Sequence, residues 1–180
     1  DMDSIITTKG FLYLINQFLY SKYQEAESQR EYFQKNFPNK EEFFDWFLSQ
    51  NIYDYCQMAP DAYEVIRELN EYYNIFIATS YISQESIEKS GDILKQKFDY
   101  LNTKLPFINP YNYIFISDKS IINIPIKIDN KIETLQNPND ERKLLFNNYH
   151  YLNIPNQTLI KNNIERVENW EKVKVKLLKK

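Results

Sequence analysis

Asp1 and Asp3 are carboxylates two positions apart, followed almost at once by the apolar pair Ile5-Ile6. At the end of a strand this spacing lets both acids face one pocket, provided that the chain turns straight afterwards. Carboxylates bind hard cations, attack as nucleophiles and move protons. Alone, Asp-x-Asp is a common surface feature. Further along, Ile75-Phe76-Ile77-Ala78 runs into Thr79-Ser80, Ile114-Phe115-Ile116 leads through Ser117-Asp118 to Lys119, and Ile126-Lys127-Ile128 ends on Asp129-Asn130. Each is a short β-type segment with polar residues at its carboxyl end. Taken singly, Lys119 reads as a surface lysine, Asp129 as a turn acid and Thr79-Ser80 as a cap for the next segment. Their order along the chain (acid pair, hydroxyls, lysine, acid) sets them apart.

The elements between these tips decide whether they can meet. Phe11, Leu12, Ile15, Phe18 and Leu19 recur at helical spacing, predicting a helix over 11–23. Asn39 is placed to cap a second helix, with Glu41 and Glu42 in its first turn and Phe43, Phe44, Trp46, Phe47 and Leu48 along it. Those aromatics read as packing residues. The polar stretch 24–36 separates the two helices. Pro60 marks a return to a main domain, and Ala62, Val65, Ile66 and Leu69 give one apolar face to a helix over 61–73. A helix over 92–101, strands over 113–116 and 126–128, a short helix at 133–136, a last strand at 143–146 and a closing helix over 167–178 complete the reading. Strands alternating with helices imply an α/β fold with a parallel sheet covered on both faces. Ligands in such sheets bind beyond the carboxyl ends of the strands, where the polar tips lie. Asp1 should itself follow a buried strand. Either residues precede it, or the core lacks that strand and Asp1 carries its own ammonium beside the carboxylate.

Composition narrows the function classes. A net charge of −3 gives no reason to expect a nucleic-acid polymer as partner. Cys56 is the sole cysteine, which excludes an internal disulfide and a cysteine-rich zinc site and fits a cytoplasmic chain. Its aromatic surroundings suggest a small buried apolar residue. His150 is the sole histidine and lies in a polar, loop-like run, so histidine-ligated metal and Ser-His chemistry are disfavoured. No run is apolar enough to span a membrane, and no signal-peptide pattern is present. The basic tail over 172–180 reads as a solvated helix end.

The order Asp1-x-Asp3, Thr79, Lys119, Asp129 resembles the motif set of the haloacid-dehalogenase-like hydrolases. Within it the chain is similar to the 5′(3′)-deoxyribonucleotidases, the cytosolic type C enzymes and their bacterial relatives. The likeness is closest in 58–70, 115–122 and 164–170. It implies a Rossmannoid parallel sheet with a small helical cap inserted after the first motif, so that 1–8 and 57–180 form the core and 9–56 the cap. It also implies a phosphomonoester hydrolase with Asp1 as nucleophile and Asp3 as general acid and base. Thr79, Ser80 and Lys119 would bind the phosphoryl group. Mg2+ would be held by Asp1, the Asp3 backbone carbonyl and Asp129, with Asn130 as a further donor. The substrate would be a small phosphorylated metabolite, a deoxyribonucleoside monophosphate first in line; homodimer formation stays open.

Departures from the family pattern bear on these expectations. Asn130 stands where the family usually has a second aspartate, and an amide oxygen brings no charge to a cation. Ser4, Thr7, Thr8 and Lys9 replace the usual residues after the acid pair. A member that has lost turnover and serves as a binding or regulatory module, a phosphatase of another phosphometabolite, and a phosphotransferase or mutase remain alternatives.

Overall fold

The computed structural model describes residues 1–23, 40–84, 86–147 and 154–178. Immediately after Asp3 the chain reverses: the Met2 carbonyl accepts from the backbone N–H of Ile6 (2.8 Å) and Thr7 (3.0 Å). Ser4 takes the left-handed conformation (φ 62°) that so tight a reversal demands. The expected turn behind the acid pair is therefore present, and Asp3 bridges back to Thr7. Trp170 anchors it, donating its indole N–H to the Ile5 carbonyl at 2.8 Å within the core. Trp170→Phe should keep the packing but orphan that buried carbonyl, costing about 1–3 kcal/mol in urea-unfolding stability.

Strand β1 (Thr7–Thr8) pairs antiparallel with β2 (Gln57–Met58). Between them come α1 (Gly10–Tyr23) and α2 (Lys40–Leu48). Their facing residues Ile15, Phe18, Leu19 and Phe43 form an apolar cluster of their own, with Phe11, Phe44, Trp46 and Phe47 packed against it. The aromatics expected to be packing residues are so: Phe43 meets Phe11, Phe18 and Phe44 edge-on. Gly10 opens α1 against the Ile52 carbonyl, 3.0 Å from where a Cβ would stand, so a side chain there has no room. Asn39, the stretch 24–36 and His150 lie outside the described residues.

Helix α3 (Ala62–Leu69) buries Ala62, Val65, Ile66 and Leu69, the face read from the sequence, though it is shorter than the 61–73 expected. Asp61 precedes it in the left-handed conformation, and turns take over after Asn70. Then come β3 (Ile77–Thr79), α4 (Ser90–Lys104), β4 (Tyr113–Phe115), β5 (Ile126–Asp129), a 3-10 turn at Ile132–Leu135, β6 (Arg142–Phe146), α5 (Asn156–Lys161), β7 (Ile164–Val167) and α6 (Trp170–Leu178). Strands β3 to β7 are parallel as expected, but among the described residues they form two groups, β3-β4 and β5-β6-β7, rather than one continuous sheet, and the β1-β2 pair stands apart as an antiparallel ribbon. β3 and β5 face each other across an apolar cavity of about 510 Å³, lined by Ile75, Ile77, Ile126 and Ile128 among others, with Asp1 and Lys119 also on its wall.

Two expectations near the carboxyl end need correction. The last strand is β7, not 143–146, and the closing helix begins at Trp170, not at 167. The Ile164-Glu165-Arg166-Val167 stretch hid its strand because two charges interrupt the apolar pattern. Both are satisfied laterally: Glu165 pairs with Arg142 (3.1 Å) and Lys176 (2.6 Å), and Arg166 donates to the Ile154 carbonyl. In the described part of the tail Lys172 is exposed, Lys174 pairs at the surface with Glu68 and Lys176 with Glu165. The main core gathers Met2, Ile5, Val65, Leu101, Leu144 and Val173. It fixes the strand ends against the turn behind Asp3.

Candidate active site

Lys119 lies 4 % exposed, its ammonium 2.6 Å from Asp1 Oδ2 and 2.7 Å from Asp129 Oδ2. The sequence produces this locally. Asp118 caps the 3-10 turn Lys119–Ile121, its carboxylate accepting from the Ser120 N–H (2.9 Å) and hydroxyl (2.6 Å). That fixes the backbone from which Lys119 projects inward. Asp129 ends β5 and accepts the Lys131 N–H through Oδ1 (2.9 Å), while Asp1 Oδ1 accepts the Met2 N–H (2.7 Å). One ammonium thus serves two buried carboxylates. Burial raises the Asp129 carboxyl, but the Lys119 charge and hydrogen bond, with the Lys131 N–H, act against it and hold it below the usual carboxylate range. The Asp1 backbone nitrogen donates to the Ile128 carbonyl at 3.2 Å.

Asp3 belongs to a second, adjoining constellation. Its Oδ2 lies 2.5 Å from the Lys97 ammonium, and its Oδ1 accepts the Tyr53 hydroxyl at 2.9 Å. Lys97 also donates to Thr79 Oγ1 (2.7 Å), which is fully buried at the end of β3. Burial, then the Asp3 charge, pushes Tyr53 well above its ordinary value, so it stays a donor. The Cys56 thiol is raised to about 11, mainly by burial. It is half-buried rather than buried as expected. The two constellations join through the Asp1–Asp3 backbone and through Asn130, whose Nδ2 donates to the Asp3 carbonyl at 3.2 Å. Asp3, Ser80 and Lys97 share a cavity of about 410 Å³ with Phe11, Phe47 and Tyr53. Asp1, Lys119 and Asp129 do not line that cavity among its described residues; they border the apolar one between β3 and β5.

Sequence reading missed Lys97 and Tyr53. The signal for Lys97 was there: it falls on the buried face of α4, one turn before Tyr100 and Leu101. A lysine in an apolar stripe must find a charge or a set of acceptors. Nothing marked Tyr53, which depends on the Asn51-capped turn Ile52–Asp54 to aim its hydroxyl.

The donors around Asp1 suit a hard cation. Among the described residues no group of three His, Cys, Asp or Glu side chains converges. The Asp1 and Asp129 carboxylates and the Asp3 carbonyl are all oxygen donors, and the buried Asn130 Oδ1 has no hydrogen-bond partner. A few protein oxygens completed by water is the arrangement that magnesium favours.

Comparison with known proteins agrees with this architecture. A family model, 5′ nucleotidase, deoxy (pyrimidine), cytosolic type C protein (NT5C), matches residues 1–179. The 5′(3′)-deoxyribonucleotidase of Bacillus subtilis is 30 % identical over 135 residues, covering 75 % of this chain and 67 % of the relative. A putative 5′(3′)-deoxyribonucleotidase of Staphylococcus epidermidis is 29 % identical over 117 residues, covering 65 % of this chain and 58 % of the relative. One from Staphylococcus aureus is 24 % identical over 122 residues. The chain thus spans about three fifths to two thirds of the length of these relatives. The α/β architecture with parallel strands is consistent with a haloacid-dehalogenase-like Rossmannoid fold. On the extent of the family match, with Asp1, Lys119 and Asp129 brought into contact as described, the chain belongs to the 5′ nucleotidase, deoxy (pyrimidine), cytosolic type C family.

Proposed function

We propose that this chain is a magnesium-dependent phosphomonoester hydrolase acting on deoxyribonucleoside monophosphates through an aspartyl-phosphate. The observation that carries the reading is Lys119 held between Asp1 and Asp129. A phosphate monoester dianion repels a carboxylate nucleophile, so charge must be neutralised before attack. An ammonium against the attacking carboxylate, with cation-binding oxygens beside it, supplies that neutralisation.

In this reading an Asp1 carboxylate oxygen attacks phosphorus, a P–O bond forms, and the bond to the nucleoside oxygen breaks. Asp3 enters this step in its protonated form and gives that proton to the departing alkoxide, becoming the carboxylate that pairs with Lys97. It then takes a proton from water, whose oxygen attacks phosphorus and displaces Asp1 with release of inorganic phosphate. Lys119 holds Asp1 and balances the phosphoryl charge; Thr79 and Ser80 donate hydroxyl hydrogen bonds to the phosphoryl oxygens. Magnesium, held by Asp1, Asp129, the Asp3 carbonyl and Asn130, would draw further charge from those oxygens when bound. Residues 9–56 act as the cap, and Phe11 and Phe47 in the cavity beside Asp3 give a nucleobase apolar faces to rest on. The family description and the single cysteine support a cytoplasmic setting.

Phosphate release from deoxyribonucleoside 5′-monophosphates, measured with magnesium and after chelation, tests this. Turnover that needs the metal is expected. A folded sample that releases no phosphate in either condition would favour the binding-module alternative, to which the uncharged Asn130 lends some support.

A further inference from the structure

We infer that Lys97 is a positioning residue that holds the Asp3 carboxylate in register with the Thr79 hydroxyl, so that leaving-group protonation is tied to phosphoryl binding. This rests on the reading of Asp3 as the leaving-group acid. Asp3 emerges from a two-residue reversal and its side chain is 50 % exposed, so the backbone alone does not fix where it points. Lys97 is the opposite case. It projects from the middle of α4 with a side chain 4 % exposed, packed near the Tyr53 ring. A buried ammonium on a rigid helix is a fixed point, and a half-exposed carboxylate beside it takes its orientation from that point.

The contacts divide the work. Lys97 occupies Asp3 Oδ2 and Tyr53 occupies Oδ1, so the carboxylate plane is held at both oxygens while each keeps a lone pair free. A second hydrogen of the same ammonium goes to Thr79 Oγ1. That uses the hydroxyl as an acceptor and leaves its own hydrogen to be donated. One cation therefore references two groups from distant parts of the chain, a proton carrier and a phosphoryl-binding donor. Tyr100 and Leu101 supply the core's apolar side chains on the same face of α4.

A loss of orientation at the leaving-group acid has a signature that general damage lacks. Departure of a deoxyribonucleoside alkoxide needs a proton, whereas dinitrophenolate leaves almost unaided. The experiment measures kcat/KM, which reports steps through formation of the phospho-enzyme, for a deoxyribonucleoside 5′-monophosphate and for dinitrophenyl phosphate, with magnesium present. Lys97→Met should lower the first by roughly 10²-fold and the second by less than about 10-fold, the scale of general acid catalysis. Tyr53→Phe removes one hydroxyl and keeps the ring. It should shift the ratio in the same direction by a smaller factor, and it carries the test if Lys97→Met does not fold. Equal losses on both substrates, or no loss on either, would overturn the inference while leaving the phosphatase reading intact. Wild-type protein inert toward both substrates would take the two down together.

Discussion

Asp1→Asn is expected to reduce phosphate release by on the order of 10⁴-fold or more while the protein stays folded. An amide at this position keeps the size of the carboxylate and can still accept the Met2 N–H, but it does not attack phosphorus. The fold should tolerate the change because of the local charge count. Lys119 stands between two buried carboxylates. Removing one leaves a one-to-one pair with Asp129, so no charge is stranded. Urea unfolding should therefore place the variant within about 1 kcal/mol of the wild type, the range of changes that strand no buried group. Retained turnover would remove Asp1 from the mechanism.

Lys119→Met inverts that balance. The stem is replaced by a side chain of similar length, but Asp1 and Asp129 are left facing each other with their shared cation gone. Removing one partner from a buried pair commonly costs about 3–5 kcal/mol, chiefly because an uncompensated charge stays behind. The variant should unfold at markedly lower urea, and catalysis should be lost as well. Its stability should also respond more strongly to magnesium than that of the wild type, since a bound cation then takes over the neutralisation that Lys119 supplied to both carboxylates. Binding to the native state alone raises stability with ligand concentration. The midpoint shift between chelated and magnesium-containing samples checks this directly. A variant as stable as the wild type would mean that Lys119 does not neutralise the pair.

The acid pair, the turn behind it and the polar tips of the strands were legible because each depends on local pattern. Met2, Ile5 and Ile6 are buried and force the reversal; Thr79, Lys119 and Asp129 each follow a short apolar run and are themselves buried. The helix over 62–69 was legible from its apolar stripe, and its early end was not, since the turns from Asn70 to Tyr73 preserve a helix-like spacing. Strand β7 escaped because Glu165 and Arg166 break the alternation, and only Arg142, Lys176 and the Ile154 carbonyl, distant in sequence, make those charges tolerable there. Lys97 escaped for a related reason. A lysine is read as solvent-facing unless its helix face is followed through, and its partners Asp3 and Thr79 come from other elements. Tyr53 is set by a capped turn whose direction no periodicity encodes. Side chains that answer to distant partners were the part that required coordinates.

The central claim is that a phosphoryl group passes through Asp1. Acid quenching during turnover, followed by borohydride reduction and peptide mass spectrometry, reads this out, because an acyl phosphate is reduced to the alcohol whereas a free carboxylate is not. The account predicts homoserine at position 1 in wild-type protein quenched with substrate and magnesium, and none in the absence of substrate. Steady turnover with residue 1 recovered only as aspartate, or with the reduced residue found elsewhere in the chain, would contradict it.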